Sequence, residues 1–184
     1  MPAQTTPTEP PAAAVAKDAH WSATRERLNN RKRPIATLTI CDDHEIKQAL
    51  AKAKFLHQRA TAQAEESPDE PDTGKAVADA QAALDKAQQA FDEVAVVLRF
   101  QALDRESFEA LKAEHPPTEE QGEDGAEWNI DTWGPALVAA ASLDGMTVED
   151  AAHYMRTWSP NEAVELYDAA FGVQAVSRMD LGKG

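Results

Sequence analysis

Cys41-Asp42-Asp43-His44-Glu45 sets four kinds of metal-ligating side chain side by side, the densest such cluster in the chain. Its spacing argues against a metal site. Adjacent side chains at a strand end or first helical turn diverge, whereas zinc and non-haem iron sites use ligands such as i and i+4 on one helix face. Acidic residues at a helix start cap it and complement its dipole. His115 and His153 stand apart, and neither belongs to an H-E-x-x-H arrangement. Glu162 and Glu165 are typed for acid/base work, but a solvated helix face accounts for them. No nucleophile elbow, P-loop or dinucleotide fingerprint occurs, and Gly182-Lys183-Gly184 lacks the upstream loop glycine, strand and following helix of a phosphate loop. These readings point away from an enzyme, with no cofactor and no metal site. What remains is aromatic: Trp128, Trp133, Trp158, Tyr167 and Phe171 all fall in the last third. Trp133 and Phe171 read chiefly as core. Trp128 and Trp158 sit beside helix starts, where an amphipathic ring is half exposed and open to a partner. Trp128, Trp133, Trp158 and Tyr167 are thus the candidate partner-binding residues.

The elements that must position these rings alternate between two periods. Residues 34–40 alternate, with Ala36, Leu38 and Ile40 on one face, and a second such run sets Val96, Leu98, Phe100 and Ala102 together. Each has one apolar side and reads as half of a small sheet with one buried face. Between them Ile46, Ala49, Ala53, Leu56 and Ala60, then Val77, Ala80, Leu84, Ala87, Phe91 and Val94, repeat every three or four residues. Asp42 or Asp43 can cap the first of these helices, and the stretch from Glu65 to Gly74 breaks the pattern. The result is an antiparallel helical hairpin with an Ala-rich seam, and the flanking strands can pair antiparallel at its base. Such a seam allows close approach but buries little area per layer.

Asp104 caps a helix carrying Phe108 and Leu111, which stops near His115 because Pro116 and Pro117 follow. Residues 115–130 read as an acidic, mobile linker. Three short helices fill 131–184: one from near Thr132 with Pro135 in its first turn, one after the capping-box-like Thr147-Val148-Glu149-Asp150, and one at Ser159-Pro160-Asn161-Glu162. The last carries Ala163, Leu166, Tyr167, Ala170 and Phe171, with Gly172 at its end. The expected fold is mainly α (α+β): a disordered, partly basic arm over 1–33, strand, hairpin, strand and helix over 34–114, the linker, and the helical cluster.

The 184 residues carry a net charge of −14, unevenly placed. Residues 1–33 hold six Lys/Arg against three Asp/Glu, and residues 114–184 hold three against fourteen. Generic phosphate binding needs a basic face on the folded part, which is missing, so nucleic acid is not an expected partner. The single Cys41 excludes an internal disulfide, no secretory signal is legible, and no apolar run is long enough to span a membrane. The expected site of action is the cytoplasm, away from membranes.

Phe108, Leu111, His115-Pro116-Pro117-Thr118, Gln121, Trp128-Asn129, Pro135-Ala136-Leu137 and Trp158, in that order, resemble the tail assembly chaperones of long-tailed bacteriophages with GC-rich hosts. The likeness covers roughly residues 97–184, about half the chain. It implies a morphogenesis factor of the host cytoplasm that coats the tape measure protein, recruits tail tube subunits and is absent from the mature virion. It also implies a frameshift-extended second form, since Leu181-Gly182-Lys183 can be encoded CTG GGA AAG, a run on which the ribosome can slip back one position; a homo-oligomer is a further possible state, with the oligomeric state left open by the sequence. Two other classes compete with this reading. A structural tail or connector protein would use the hairpin as an assembly spike, and a small hydrolase would use the Asp, Glu and His residues.

Overall fold

The computed structural model describes residues 12–67 and 72–179, with side chains from residue 19 onward; the N-terminal eleven residues and the Leu181-Gly182-Lys183-Gly184 end lie outside the described residues. The protein is mainly α with a small β component, and it divides into two units, residues 1–33 and 34–184. In the first, Ala12–Asn29 forms helix α1. This corrects the expectation of disorder for residues 12–29; residues 1–11 lie outside the described residues. The reading weighed only the lack of apolar surface, whereas an Ala-rich start has the highest intrinsic helix propensity, and eighteen residues exceed the length at which such helices persist.

The second unit opens on strand β1 (Ile35–Ile40), continues through α2 (His44–Glu66) and α3 (Thr73–Val94), and returns in strand β2 (Val96–Gln101). The strands pair antiparallel with Leu38 opposite Leu98. Because Ala102 donates to the Pro34 carbonyl, every second residue of β1 (Ala36, Leu38, Ile40) turns its backbone groups toward β2. The same residues lie on the inner face, with Leu98 and Phe100 of β2.

Asp43 is the cap of α2, its carboxylate accepting from the Ile46 amide at 3.0 Å. The seam of α2 differs from the expected one. Ile46, Ala53 and Ala60 are inside, but Leu50 is buried where Ala49 was expected and His57 is half-buried where Leu56 was expected; Leu56 and its neighbour Phe55 are exposed. Two three-four rows share those three residues, and the helix turns toward the row that buries Leu50, because Leu removes more apolar area from water than Ala. In α3 the expected row holds except for exposed Val94, and no residue is fully buried.

Helix α4 (Arg105–Glu114) is capped by Asp104 and ends at His115 ahead of the two prolines. The linker expected to be mobile holds a short helix, α5 (Glu119–Glu123), started by a capping box in which Thr118 and Gln121 satisfy each other's backbone amides. Composition had masked the Thr-x-x-Gln turn chemistry. The segment is tied further by Asn129 donating to the His115 carbonyl at 2.8 Å and by a Lys112–Glu127 ion pair at 2.7 Å.

Helix α6 (Ile130–Ala141) starts two residues earlier than expected, because the Asn129 side chain accepts from the amides of Asp131 and Thr132. Pro135 therefore lies inside the helix and withholds the donor that would reach the Asp131 carbonyl. Helices α7 (Val148–Thr157) and α8 (Pro160–Gly172) begin with the capping boxes Thr147/Asp150 and Ser159/Glu162. A 3-10 turn, Val173–Ala175, follows Gly172 in right-handed conformation, so that glycine does not end the helix through a left-handed turn. The core is Phe100, Ala102, Val138, Ala141, Ala151, Leu166, Ala170 and Val173: the inner sheet face covered by α6, α7 and α8.

Candidate functional site

Trp133, expected as core, is 1% exposed on α6 and forms the hub of an aromatic cluster. Phe108 of α4 meets it edge-on at 5.6 Å, His115 at 6.4 Å, and Trp128 stacks on it at 5.3 Å. From α8, the Tyr167 hydroxyl accepts from the indole Nε1 at 3.3 Å, and Phe171 stacks on Tyr167 at 5.4 Å. Burial pushes the Tyr167 phenol above its usual value; the bond from Trp133 pulls it down and the charge of Asp168 pushes it up. The Lys112 ammonium lies 5.4 Å from the Trp128 ring centre, so the exposed side of that ring carries a cation held in turn by Glu127.

Beside this hub an open apolar groove of about 340 Å³ runs between α6, α7 and α8, lined by Trp128, Ile130, Gly134, Met155, Val164 and Tyr167 over the Trp133 edge. Gly134 makes room for it: a Cβ there would lie 2.9 Å from the Met155 methyl. Ile130 is 64% and Val164 54% exposed, so two large aliphatic side chains stand in solvent at the mouth. Exposed carboxylates follow the lining residues in sequence: Asp131, Glu165 and Asp168. The groove can hold large apolar side chains from a partner helix.

Three of the four expected partner residues, Trp128, Trp133 and Tyr167, meet here, with Trp133 as buried floor and no exposed contact of its own. Trp158 does not. It stacks on Tyr154 at 5.0 Å and lines a separate cavity with Leu38, Ile40 and Val96 at the end of the sheet. Ile130 and Val164 were missed, since each falls off the apolar stripe of its helix; a branched aliphatic residue on the nominally polar face was the only signal.

The Cys41–Glu45 cluster is spent on local structure. Cys41 is buried with its thiol toward the Asp43 carbonyl, Asp43 caps α2, and the His44 ring bonds Gln48 at 2.7 Å. Glu162 closes the α8 capping box, and Glu165 accepts from Asn161 at 2.8 Å. Among the described residues, no group of three His, Cys, Asp or Glu side chains is placed to hold a metal ion, and no helix is long and apolar enough to cross a membrane. Comparison with protein-family models, curated proteins and solved structures finds no match to this chain.

Proposed function

We propose that this protein is a phage tail assembly chaperone, which binds the tape measure protein in the host cytoplasm, keeps it soluble and helps recruit tail tube subunits. The observation that carries the reading is the groove with Ile130 and Val164 at its mouth. Large aliphatic residues in solvent beside an aromatic floor are what a surface that takes apolar helices from a client presents. The residues that carry the resemblance support the same place: Phe108, His115 and Trp128 all meet around Trp133. The exposed pair Phe55 and Leu56 on the hairpin offers a second apolar contact, so that several weak contacts can add to useful avidity and still release. The strong negative charge keeps a chaperone–client complex dispersed.

Co-expression of the full chain with the tape measure protein of the same phage tests this. The expected result is a soluble tape measure protein, lost several-fold on Trp128→Ala or Ile130→Asp and unchanged on His44→Ala, Cys41→Ala or Trp158→Ala. An insoluble client with the wild-type chain would overturn the function; equal behaviour of all variants would overturn the groove.

A further inference from the structure

The two edges of the small sheet are treated differently. Along the outer edge of β2, Asp144 accepts from the Arg99 amide at 2.7 Å and grips its guanidinium, Leu143 donates to the Arg99 carbonyl at 2.8 Å, and Ser142 bridges Phe100. That edge is covered at its centre, at Arg99. On β1 the alternation that aims Ala36, Leu38 and Ile40 at β2 leaves the amides and carbonyls of Ile35, Thr37 and Thr39 facing away from it, and among the described residues nothing bonds them. The strand Ile-Ala-Thr-Leu-Thr-Ile has no charge, proline, glycine or bulge to discourage pairing.

We propose that β1 pairs antiparallel with β1 of a second copy, joining two hairpin sheets into one four-stranded sheet about a two-fold axis through Thr37. With Thr37 opposite its own counterpart, Ile35 lies opposite Thr39 of the other copy, and all three outward-facing residues exchange bonds. The aligned side chains are β-branched, a favourable cross-strand set. Charge order fits the same register. Arg31-Lys32-Arg33 precedes the strand and Cys41-Asp42-Asp43 follows it, so antiparallel copies set the basic triplet of one against the acidic end of the other. The cavity at that end carries Asp42, Glu162 and Glu165 against one cation, Lys47. A parallel arrangement would oppose like charges instead. Two strands alone are marginal and four are not, so the pairing also stabilises the base on which the hairpin stands.

Sedimentation equilibrium of the full chain tests this. The expected result is a dimer that weakens as salt rises. Thr37→Pro removes an outward donor from each copy while leaving the bonds to β2 intact, and proline is tolerated at such an edge position. It should keep the far-UV spectrum and weaken the dimer about tenfold or more. Thr37→Lys, which sets two ammonium groups face to face across the axis, provides the same readout if the proline variant does not fold. In a Cys41→Ala background, Thr37→Cys should cross-link under mild oxidation, since residues directly opposite in a bonded pair have Cα atoms about 5.5 Å apart, within disulfide reach. A chain that stays monomeric at every concentration overturns the proposal. So does a dimer indifferent to Thr37→Lys, or an edge protected only when a client is added.

Discussion

The Trp133 indole on α6 donates to the Tyr167 hydroxyl on α8 at 3.3 Å, so a hydrogen bond links the floor of the groove to its wall. Removing the acceptor leaves a buried donor without a partner, which costs more than the bond itself contributes. Tyr167→Phe should lower stability by about 1–3 kcal/mol, and Trp133→Ala by about 3–5 kcal/mol, because it also empties the hub. The double variant should lose clearly less than the sum. Denaturant melts of the four proteins check this.

The same bond sets the phenol's titration. An N–H donated to the oxygen favours the phenolate, so it opposes the upward push of burial. Phenolate absorbance in a Tyr154→Phe background should show Tyr167 ionising above the ordinary tyrosine range, and Trp133→Phe should raise it further. A fall on Trp133→Phe would mean that the indole N–H does not favour the phenolate.

Acid should unfold this protein through a small set of carboxylates. Asp144 is held below its usual range by the Arg99 side chain and amide, Asp150 by the Thr147 hydroxyl and amide, and Glu162 by those of Ser159. Each folded value lies below the unfolded one, so the unfolded chain binds more protons. The stabilisation is therefore present above the ordinary carboxylate range, near about 4, and is lost as pH falls through the folded values. The melting temperature should be flat near neutrality and drop at acid pH. Asp144→Asn should flatten the drop by lowering the neutral-pH value and leaving the acid value alone.

The parts of the fold written in local chemistry were legible before the structure. The Ser159-Pro160-x-Glu162 and Thr147-x-x-Asp150 starts, the alternation of Ala36, Leu38 and Ile40 and the stop at His115 each follow from neighbours in sequence. What escaped depends on choices made across the fold. The rotation of α2 that favours Leu50 over Ala49 is decided by what lies beneath it, and two registers were nearly equal in sequence. The groove was half visible for a similar reason. Aromatic enrichment marked Trp128, Trp133 and Tyr167, but whether Trp158 joined them depended on which side of α8 its start faced. Ile130 and Val164 only become a rim once α6 and α8 lie side by side.

The hairpin should exchange its amides in a gradient. Its fully buried residues, Leu50 and Ala53, lie in the first half of α2, and α3 has none. Opening the far end therefore exposes little apolar surface and costs little free energy. Amides of residues 58–66 and 74–82 should exchange orders of magnitude faster than those of 136–141, where helix α6 is buried. Uniform protection along both hairpin helices would require a cover on α3 that the fold does not provide.

Gly134 separates groove from stability. Alanine in the middle of a helix is favoured over glycine by about 0.5–1 kcal/mol, but the new Cβ would lie 2.9 Å from the Met155 methyl. That methyl ends a side chain with three rotatable bonds and opens onto the groove, so it can swing away into the space between Trp128 and Val164. Gly134→Ala should therefore melt at the wild-type temperature or slightly above, shift the Met155 methyl resonance, and fill part of the groove. If the groove receives client helices, solubilisation of the tape measure protein should fall although the fold is no weaker, a combination that a merely structural role for these residues does not produce.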